Sequence, residues 1–197
     1  MLPKKQILVI LLVGFLVYAN ILGNGFVWDD EEQVVNNPYI KNFSYLSKIF
    51  TGSTFQTGGA GLSGWYFKPL MSFWFMVNYK IWGLRPWGFH LSQLWLHLAN
   101  SVLVFLIFKI FFRQSIAFLL ALIFAIHPAN VESVAYISGS QEPLYTFFLL
   151  LAILLASSRS VVSLTLPRCY LLFLFGLLAK EAAIVGLPII FFVFLAS

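Results

Sequence analysis

Cysteine is almost absent from this chain, which has one cysteine in 197 residues. Cys169 lies in an apolar stretch and has no second cysteine with which to form a disulfide bond. A disulfide-stabilised fold and a zinc site built from cysteines are both excluded, because each needs several of them. Cys169 is expected to pack as a small hydrophobic side chain.

Charged side chains are also scarce. They make up 10% of the residues, against 60% hydrophobic and 18% aromatic residues, and the mean hydropathy is +0.90. This composition cannot cover a water-soluble globule with polar surface, so it predicts an integral membrane protein that crosses the membrane several times. The net charge of +5 does not indicate nucleic-acid binding, because the basic residues stand singly beside apolar runs.

Long apolar runs are what the chain does have. We expect an all-α integral membrane protein, a polytopic helical bundle of about six spans whose N-terminus is cytoplasmic. The basic start of the chain also fits a signal peptide, but the first run has a poor cleavage site and five further runs follow. The predicted spans are 7–22, 89–112, 115–126, 144–156, 169–179 and 182–197.

A long extracytoplasmic loop, at about 23–88, separates the first two predicted spans. It contains a glycine-rich stretch at 57–61 that is expected to be flexible. Its segments 39–50 and 70–82 keep an apolar face with aromatic and basic residues, which is typical of short helices at the headgroup interface.

Acidic residues are fewer than basic residues, and the predicted topology places all of them on the extracytoplasmic side of the membrane. Basic loops on the cytoplasmic side follow the positive-inside rule, with Arg159 among them, whereas that rule does not require the acids to be one-sided. Their distribution therefore predicts a polar chamber at the outer face, formed partly by a second outer loop at about 128–143. The seven acids are Asp29, Asp30, Glu31, Glu32, Glu132, Glu142 and Glu181.

Four of these acids are consecutive, directly after the first predicted span and Trp28. A solvated loop that helps to hold the topology is one interpretation. The other is that one carboxylate near the membrane, Asp29 or Asp30, serves as a general base on an acceptor hydroxyl. Glu31 and Glu32 are expected to be solvated neighbours.

The remaining polar residues also allow two interpretations each. Glu132 and Glu142 share the second outer loop with a histidine and could bind a metal, although their spacing matches no zinc signature. Lys180 lies beside Glu181 between two apolar runs, where the pair could neutralise each other or Lys180 could bind a phosphate. Lys68 shares that second possibility.

Two histidines and an asparagine lie on one face of the second predicted span. His90 and His97 are seven residues apart, and Asn100 follows three residues later. Helix-packing residues that form hydrogen bonds to neighbouring helices are the simpler interpretation; a site lining is the alternative.

Several stretches in order along the chain resemble one family. They are Phe-Val-Trp-Asp-Asp at 26–30 and the segments 66–70, 88–90, 124–128, 131–135, 138–142 and 178–181. Together they resemble the membrane half of the transmembrane-and-tetratricopeptide-repeat O-mannosyltransferases and their prokaryotic relatives, and more broadly the GT-C glycosyltransferases.

The resemblance implies an enzyme that takes a sugar from a polyprenyl-phosphate donor. The acceptor, often a protein Ser or Thr hydroxyl, attacks the anomeric carbon with inversion. The base at the end of the first helix corresponds to Asp29 or Asp30. The residues implied in substrate binding are Lys68 and Lys180 at the lipid phosphate, with His90, Glu132 and Glu142. In this sequence Gln141 precedes Glu142, where relatives often have a small residue.

The resemblance also implies the setting. Residues 1–197 correspond to the N-terminal part of a GT-C-like module, because the chain ends in an apolar run without 34-residue repeats; either a fragment or a shortened relative is expected. No cofactor is required, and a divalent cation is the alternative. Expected partners are the polyprenyl-phosphate sugar, membrane lipid and an acceptor protein or other membrane subunits. The membrane is the plasma membrane in a prokaryote and the ER in a eukaryote. The alternative function is a non-catalytic subunit with the same fold.

Overall fold

The computed structural model describes residues 3–54, 66–157 and 162–196. Over these ranges the regular structure is helical throughout. The glycine-rich stretch 57–61 and Arg159 lie outside the described residues. The helices are α1 (Pro3–Tyr18), α2 (Leu46–Thr51), α3 (Pro69–Trp82), α4 (Pro86–Phe111), α5 (Gln114–Ile126), α6 (Val131–Ala135), α7 (Gln141–Ala156), α8 (Val162–Ala179) and α9 (Gly186–Ala196).

Short helical turns connect these helices. Glu31–Val35 is a single π-helical turn. The 3-10 turns are Ala19–Gly23, Tyr39–Lys41, Phe43–Tyr45, Pro128–Asn130, Ile137–Gly139 and Glu181–Val185.

Three helical segments of the described chain are long and apolar enough to cross a membrane: Pro3–Gly23, Pro86–Phe111 and Ile137–Ala156. Gln114–Ile126 and Pro128–Ala135 form a fourth if they are one span with a 46° bend, and Pro128 accounts for the break because it cannot continue the α5 hydrogen-bond ladder. Two shorter apolar helices follow α7. The described residues are thus all-helical with three or four candidate spans, while the count of six spans stays a prediction.

Helix α4 forms the centre of the bundle and packs against α1, α5 and α7. Close approach to α5 is possible because Ala117, Ala121 and Ala125, four residues apart on one face, are all fully buried. On α1, Gly14 has the same role, since a Cβ there would lie 2.6 Å from the Leu98 side chain.

A short turn joins α3 to α4, and the two helices are in contact. Each begins with a proline, a residue that suits the first turn of a helix because its missing N–H would be unpaired there. Gly83 ends α3 with φ +62°, a conformation that glycine adopts without steric cost. Gly88 lets Trp82 pack against α4, because a Cβ would lie 2.3 Å from the Trp82 ring. At the opposite end of α3, Lys68 is the residue before Pro69, and its N–H donates to Thr54 Oγ1 over 3.2 Å.

The long loop after α1 folds against the bundle. Its segment 39–50 forms two 3-10 turns and α2, and the segment 70–82 lies within α3, so both predicted helical segments are helical. Met71, Phe75 and Met76 of α3 are each 1% exposed and join one apolar core with Phe89 of α4. This half of α3 therefore contributes to the core, and the interfacial location of both segments remains a prediction.

Candidate active site

The predicted site residues lie at one end of the bundle, which we call the acidic end. It is the end where α1, α5 and α8 terminate and where α4 and α7 begin. Tyr18 donates a hydrogen bond to the His127 carbonyl across it, and Lys180 forms an ion pair with Glu142 across it. Helix termini thus bring together residues that are far apart in sequence.

A tight turn follows α1 at this end and is built around Trp28. The backbone of Trp28 has φ +49°, which is uncommon for a bulky residue and costs about 1–3 kcal/mol. The turn is held from both sides: Asp30 N donates to Val27 O over 3.0 Å, and Val27 N donates to Asp30 Oδ2 over 3.0 Å. As a result the Trp28 side chain is 83% exposed, and the two aspartates that follow point to different surroundings.

Asp30 is completely buried, with an exposed fraction of 0%. Its Oδ1 accepts hydrogen bonds from Ser138 N over 2.8 Å and from Ser138 Oγ over 2.6 Å, and its Oδ2 is held by Val27. Burial raises the pKa of Asp30, while the hydrogen bonds from Ser138 and Val27 lower it in part. Oδ1 therefore joins the turn to the second loop, and Oδ2 closes the turn itself.

His90 is the neighbour of Asp30 inside the bundle. It lies in the second turn of α4, is 1% exposed, and interacts electrostatically with the Asp30 carboxylate. The backbone of Asn24 and Gly25 lies close enough to interact with the His90 ring, although neither ring nitrogen has a hydrogen bond of standard geometry with a described residue. His90 is thus part of the buried layer beneath the turn and does not reach the surface of the site.

Asp29 differs from Asp30 in its surroundings. It is partly exposed, and its backbone N–H donates to the Tyr136 hydroxyl over 3.2 Å. Within the described ranges no hydrogen bond or ion pair engages its carboxylate, which lies close enough to Lys68 and Tyr136 to influence both electrostatically. Of the two predicted bases, Asp29 has the available carboxylate.

Lys68 is partly buried and interacts electrostatically with Asp29. Burial lowers the pKa of Lys68, and the nearby charge of Lys180 lowers it further, whereas Glu181, Glu142 and Asp29 raise it. These five residues therefore form one charged group, which we call the charge cluster. Among the described residues Lys68 has no carboxylate within ion-pair distance.

Lys180 is already paired. Its Nζ donates to Glu142 Oε1 in the ion pair that joins the end of α8 to the start of α7. Burial alone would lower the pKa of Lys180, but the hydrogen bond with Glu142 and the charge of Glu142 raise it overall. The sequence allowed Glu181 to neutralise Lys180. In the structure the ion-pair partner of Lys180 is Glu142 instead, because the turn after α8 directs Lys180 towards α7.

Gln93 of α4 holds the second loop in place. It is fully buried, and its Nε2 donates to the carbonyls of Ser133 and Tyr136 over 2.6 and 2.7 Å. Its Oε1 accepts from Ser140 Oγ over 2.7 Å. Together with Asp30 and Ser138, these contacts determine where Tyr136 stands.

Tyr136 belongs to the second loop and contacts Asp29 through its hydroxyl. Its ring packs edge-on against Trp28, with 6.0 Å between ring centroids. Burial raises the pKa of Tyr136 to about 12, helped by the charges of Asp29 and Asp30. The hydroxyl is therefore protonated at neutral pH and keeps its contact with Asp29.

Tyr136 also lines a cavity of about 340 Å³. Glu132, which is exposed, and Glu142 both line it. Glu142 thereby belongs to the cavity wall and to the charge cluster. The predicted site residues fall into three places: the buried pair Asp30 and His90, the charge cluster and the cavity.

His97 and Asn100 of α4 form hydrogen bonds to neighbouring helices, and both also line the cavity. His97 Nε2 lies 2.9 Å from the Ala125 carbonyl of α5, and Asn100 Nδ2 donates to the Pro143 carbonyl of α7 over 2.9 Å. Where the structure is described, no group of three or more His, Cys, Asp or Glu side chains is arranged to hold a metal ion.

Sequence reasoning missed Gln93, Ser138 and Tyr136 as parts of this arrangement. Gln93 carried a usable signal, because an uncharged polar residue inside an apolar span usually has a partner. Ser138 lies in the segment 138–142 that carries the family resemblance, but its residue type indicated no partner, and Tyr136 carried no signal because tyrosine is an ordinary loop residue.

No protein-family model matches this chain, and no solved structure matches it. Among curated proteins it is similar to the protein O-mannosyl-transferase F38B6.6 of Caenorhabditis elegans, at 29% identity over 94% of the chain. It is also similar to Tmtc1 of Drosophila melanogaster, at 32% over 89%, and to human TMTC1, at 36% over 71%.

These relatives are much longer than this chain. The aligned part covers 27% of the Caenorhabditis elegans protein, 21% of the Drosophila melanogaster protein and 16% of human TMTC1. All three are named protein O-mannosyl-transferases.

Proposed function

We propose that this chain forms part of a membrane glycosyltransferase. It is homologous over most of its length to the TMTC protein O-mannosyl-transferases. The enzyme transfers a sugar from a polyprenyl-phosphate donor to an acceptor hydroxyl, a Ser or Thr of a protein, at the extracytoplasmic face. The observation that carries this proposal is the available Asp29 carboxylate beside Lys68, in a turn that Asp30 holds rigid.

The proposed chemistry is a single inverting displacement. Asp29 accepts the proton of the acceptor hydroxyl as its oxygen attacks the anomeric carbon, and the bond from that carbon to the phosphate oxygen breaks. The polyprenyl phosphate leaves with the bonding electrons. Lys68 stabilises its negative charge, because Lys68 is the lysine of the charge cluster without an ion-pair partner among the described residues.

Asp30 has a positioning role in this proposal. Its three hydrogen bonds to Val27 and Ser138 set the direction of Asp29, and a positioned base is more effective than a mobile one. The mechanism uses no cofactor. A divalent cation bound together with the donor phosphate is the alternative, and sugar transfer measured with and without EDTA distinguishes the two.

The test is sugar transfer in reconstituted liposomes that contain polyprenyl-phosphate mannose and a Thr-containing peptide. Asp29→Asn should lower the transfer rate roughly a hundredfold to ten-thousandfold, the usual range for a general base, while the helical circular dichroism stays unchanged. Glu31→Gln is the matched control, because it removes one negative charge from an exposed acid two residues away.

Two results would contradict the proposal. Equal transfer by Asp29→Asn and the parent protein would exclude Asp29 as the base. Binding of partner membrane proteins without any transfer by the parent protein would favour the non-catalytic subunit.

A further inference from the structure

The cavity beside Tyr136 has a lining in which hydrogen-bond acceptors and negative charge dominate. No lysine or arginine is among the residues that line its volume of about 340 Å³. Its polar residues include Asn100, Asn130, Glu132, Gln141 and Glu142. A ligand that donates hydrogen bonds and carries positive charge is complementary to such a lining.

Asn100 provides a second, independent observation. It lines the cavity and is 1% exposed, and its Nδ2 is fixed on the Pro143 carbonyl. Its Oδ1 has no donor among the described residues. A buried acceptor without a donor costs about 1–3 kcal/mol of free energy. A ligand that donates a hydrogen bond to Asn100 Oδ1 would remove this cost and so be bound more tightly.

The charges of the wall are unequal. Glu142 is neutralised by Lys180, whereas Glu132 is exposed and forms no ion pair within the described part of the chain. Glu132 therefore leaves the cavity with an uncompensated negative charge.

The cavity lies next to the proposed base. Tyr136 lines it, and the Tyr136 hydroxyl is 3.2 Å from Asp29 N. An extended peptide advances roughly 3.3 Å per residue. An acceptor segment with its hydroxyl at Asp29 therefore passes Tyr136, which contacts Asp29 and also lines the cavity, within a few residues.

We infer that this cavity binds a lysine or arginine side chain of the acceptor segment, close in sequence to the Ser or Thr that receives the sugar. The inference rests on the proposed function in one respect, that the acceptor is a protein. It adds a specificity site in which Glu132 supplies the charge and Asn100 Oδ1 accepts a hydrogen bond.

The test measures peptide binding without a sugar donor, using the chain in lipid nanodiscs. Fluorescent peptides carry one Thr flanked by Lys at positions one to three on either side, or by Gln at the same positions. The Lys peptides should bind roughly fivefold more tightly, as expected for one partly exposed ion pair. Glu132→Gln should bring the ratio of the two affinities close to one, and Glu132→Lys should invert it.

Glu31→Gln is the control, because it changes the net charge equally but lies outside the cavity lining. A parent protein that binds both peptides equally, or binds neither, overturns the inference. An equal loss of preference in Glu31→Gln also overturns it, because the preference would then come from overall surface charge.

Sugar transfer to the same peptides separates this inference from the proposed function. Transfer at equal rates to the Lys and Gln peptides contradicts the cavity specificity and leaves the transferase intact. A binding preference that depends on Glu132, in a protein that transfers no sugar, supports the cavity and contradicts the transferase.

Discussion

Two regions at the acidic end contain the same kinds of side chain in opposite states. The buried layer around Asp30 and Gln93 has nearly all its carboxylate and amide atoms in hydrogen bonds. The open region around Asp29, Lys68 and Glu132 has charged atoms without such partners among the described residues. The comparison teaches that neighbouring aspartates acquire different roles from their surroundings, because a carboxylate that accepts three hydrogen bonds has little capacity left for chemistry.

The sharpest test of this difference is a pair of matched alanine substitutions. Asp30→Ala should lower the free energy of unfolding by about 2–4 kcal/mol, because it leaves the Val27 and Ser138 donors buried without an acceptor. Asp29→Ala should change it by less than about 0.5 kcal/mol, because the Asp29 side chain is partly exposed and forms no hydrogen bond or ion pair among the described residues. Unfolding in detergent mixtures with increasing SDS, followed by circular dichroism, measures both.

Similar losses for the two alanine variants would break the comparison. If the Asp30→Ala variant unfolds during purification, Ser138→Ala provides the test instead. It removes one of the same hydrogen bonds and should lower the free energy of unfolding by about 1 kcal/mol.

A smaller effect is expected at the second anchor of the buried layer. Gln93→Leu should lower the free energy of unfolding by about 2 kcal/mol, because the carbonyls of Ser133 and Tyr136 lose their donor in a buried place. Hydrogen exchange should rise across residues 133–140 and remain slow in the centre of α4. Exchange that rises equally in both places would show that Gln93 acts on the helix and does not hold the loop.

The smallest effect on stability belongs to the open region. Glu142→Gln removes the ion pair with Lys180, and since the two side chains are 34% and 24% exposed, the loss should be below about 1 kcal/mol. The same unfolding measurement checks it, with Glu132→Gln as the matched control that breaks no ion pair. A loss as large as that of Asp30→Ala would place Glu142 in the structural layer.

Helix positions followed from the sequence to a large extent. The apolar runs coincide with α1, α4, α5 and α7 because a backbone in an apolar medium must satisfy its hydrogen bonds internally, and the helix is the local way to do so. Pro69, Pro86 and Gly83 also mark helix ends by local chemistry alone. The stretch Trp28 to Glu32 stood out as a candidate site from its charge alone.

The sequence by itself thus determined the apolar helices, the concentration of acids and the set of candidate site residues, because these depend on composition and on local periodicity. Tertiary structure decided which aspartate is engaged, which carboxylate pairs with Lys180 and which loop Gln93 holds. Asp30 meets Ser138 and Lys180 meets Glu142 across 108 and 38 positions. Such partners are selected by the packing of helix ends, and neither the residue type nor its neighbours in sequence indicate them.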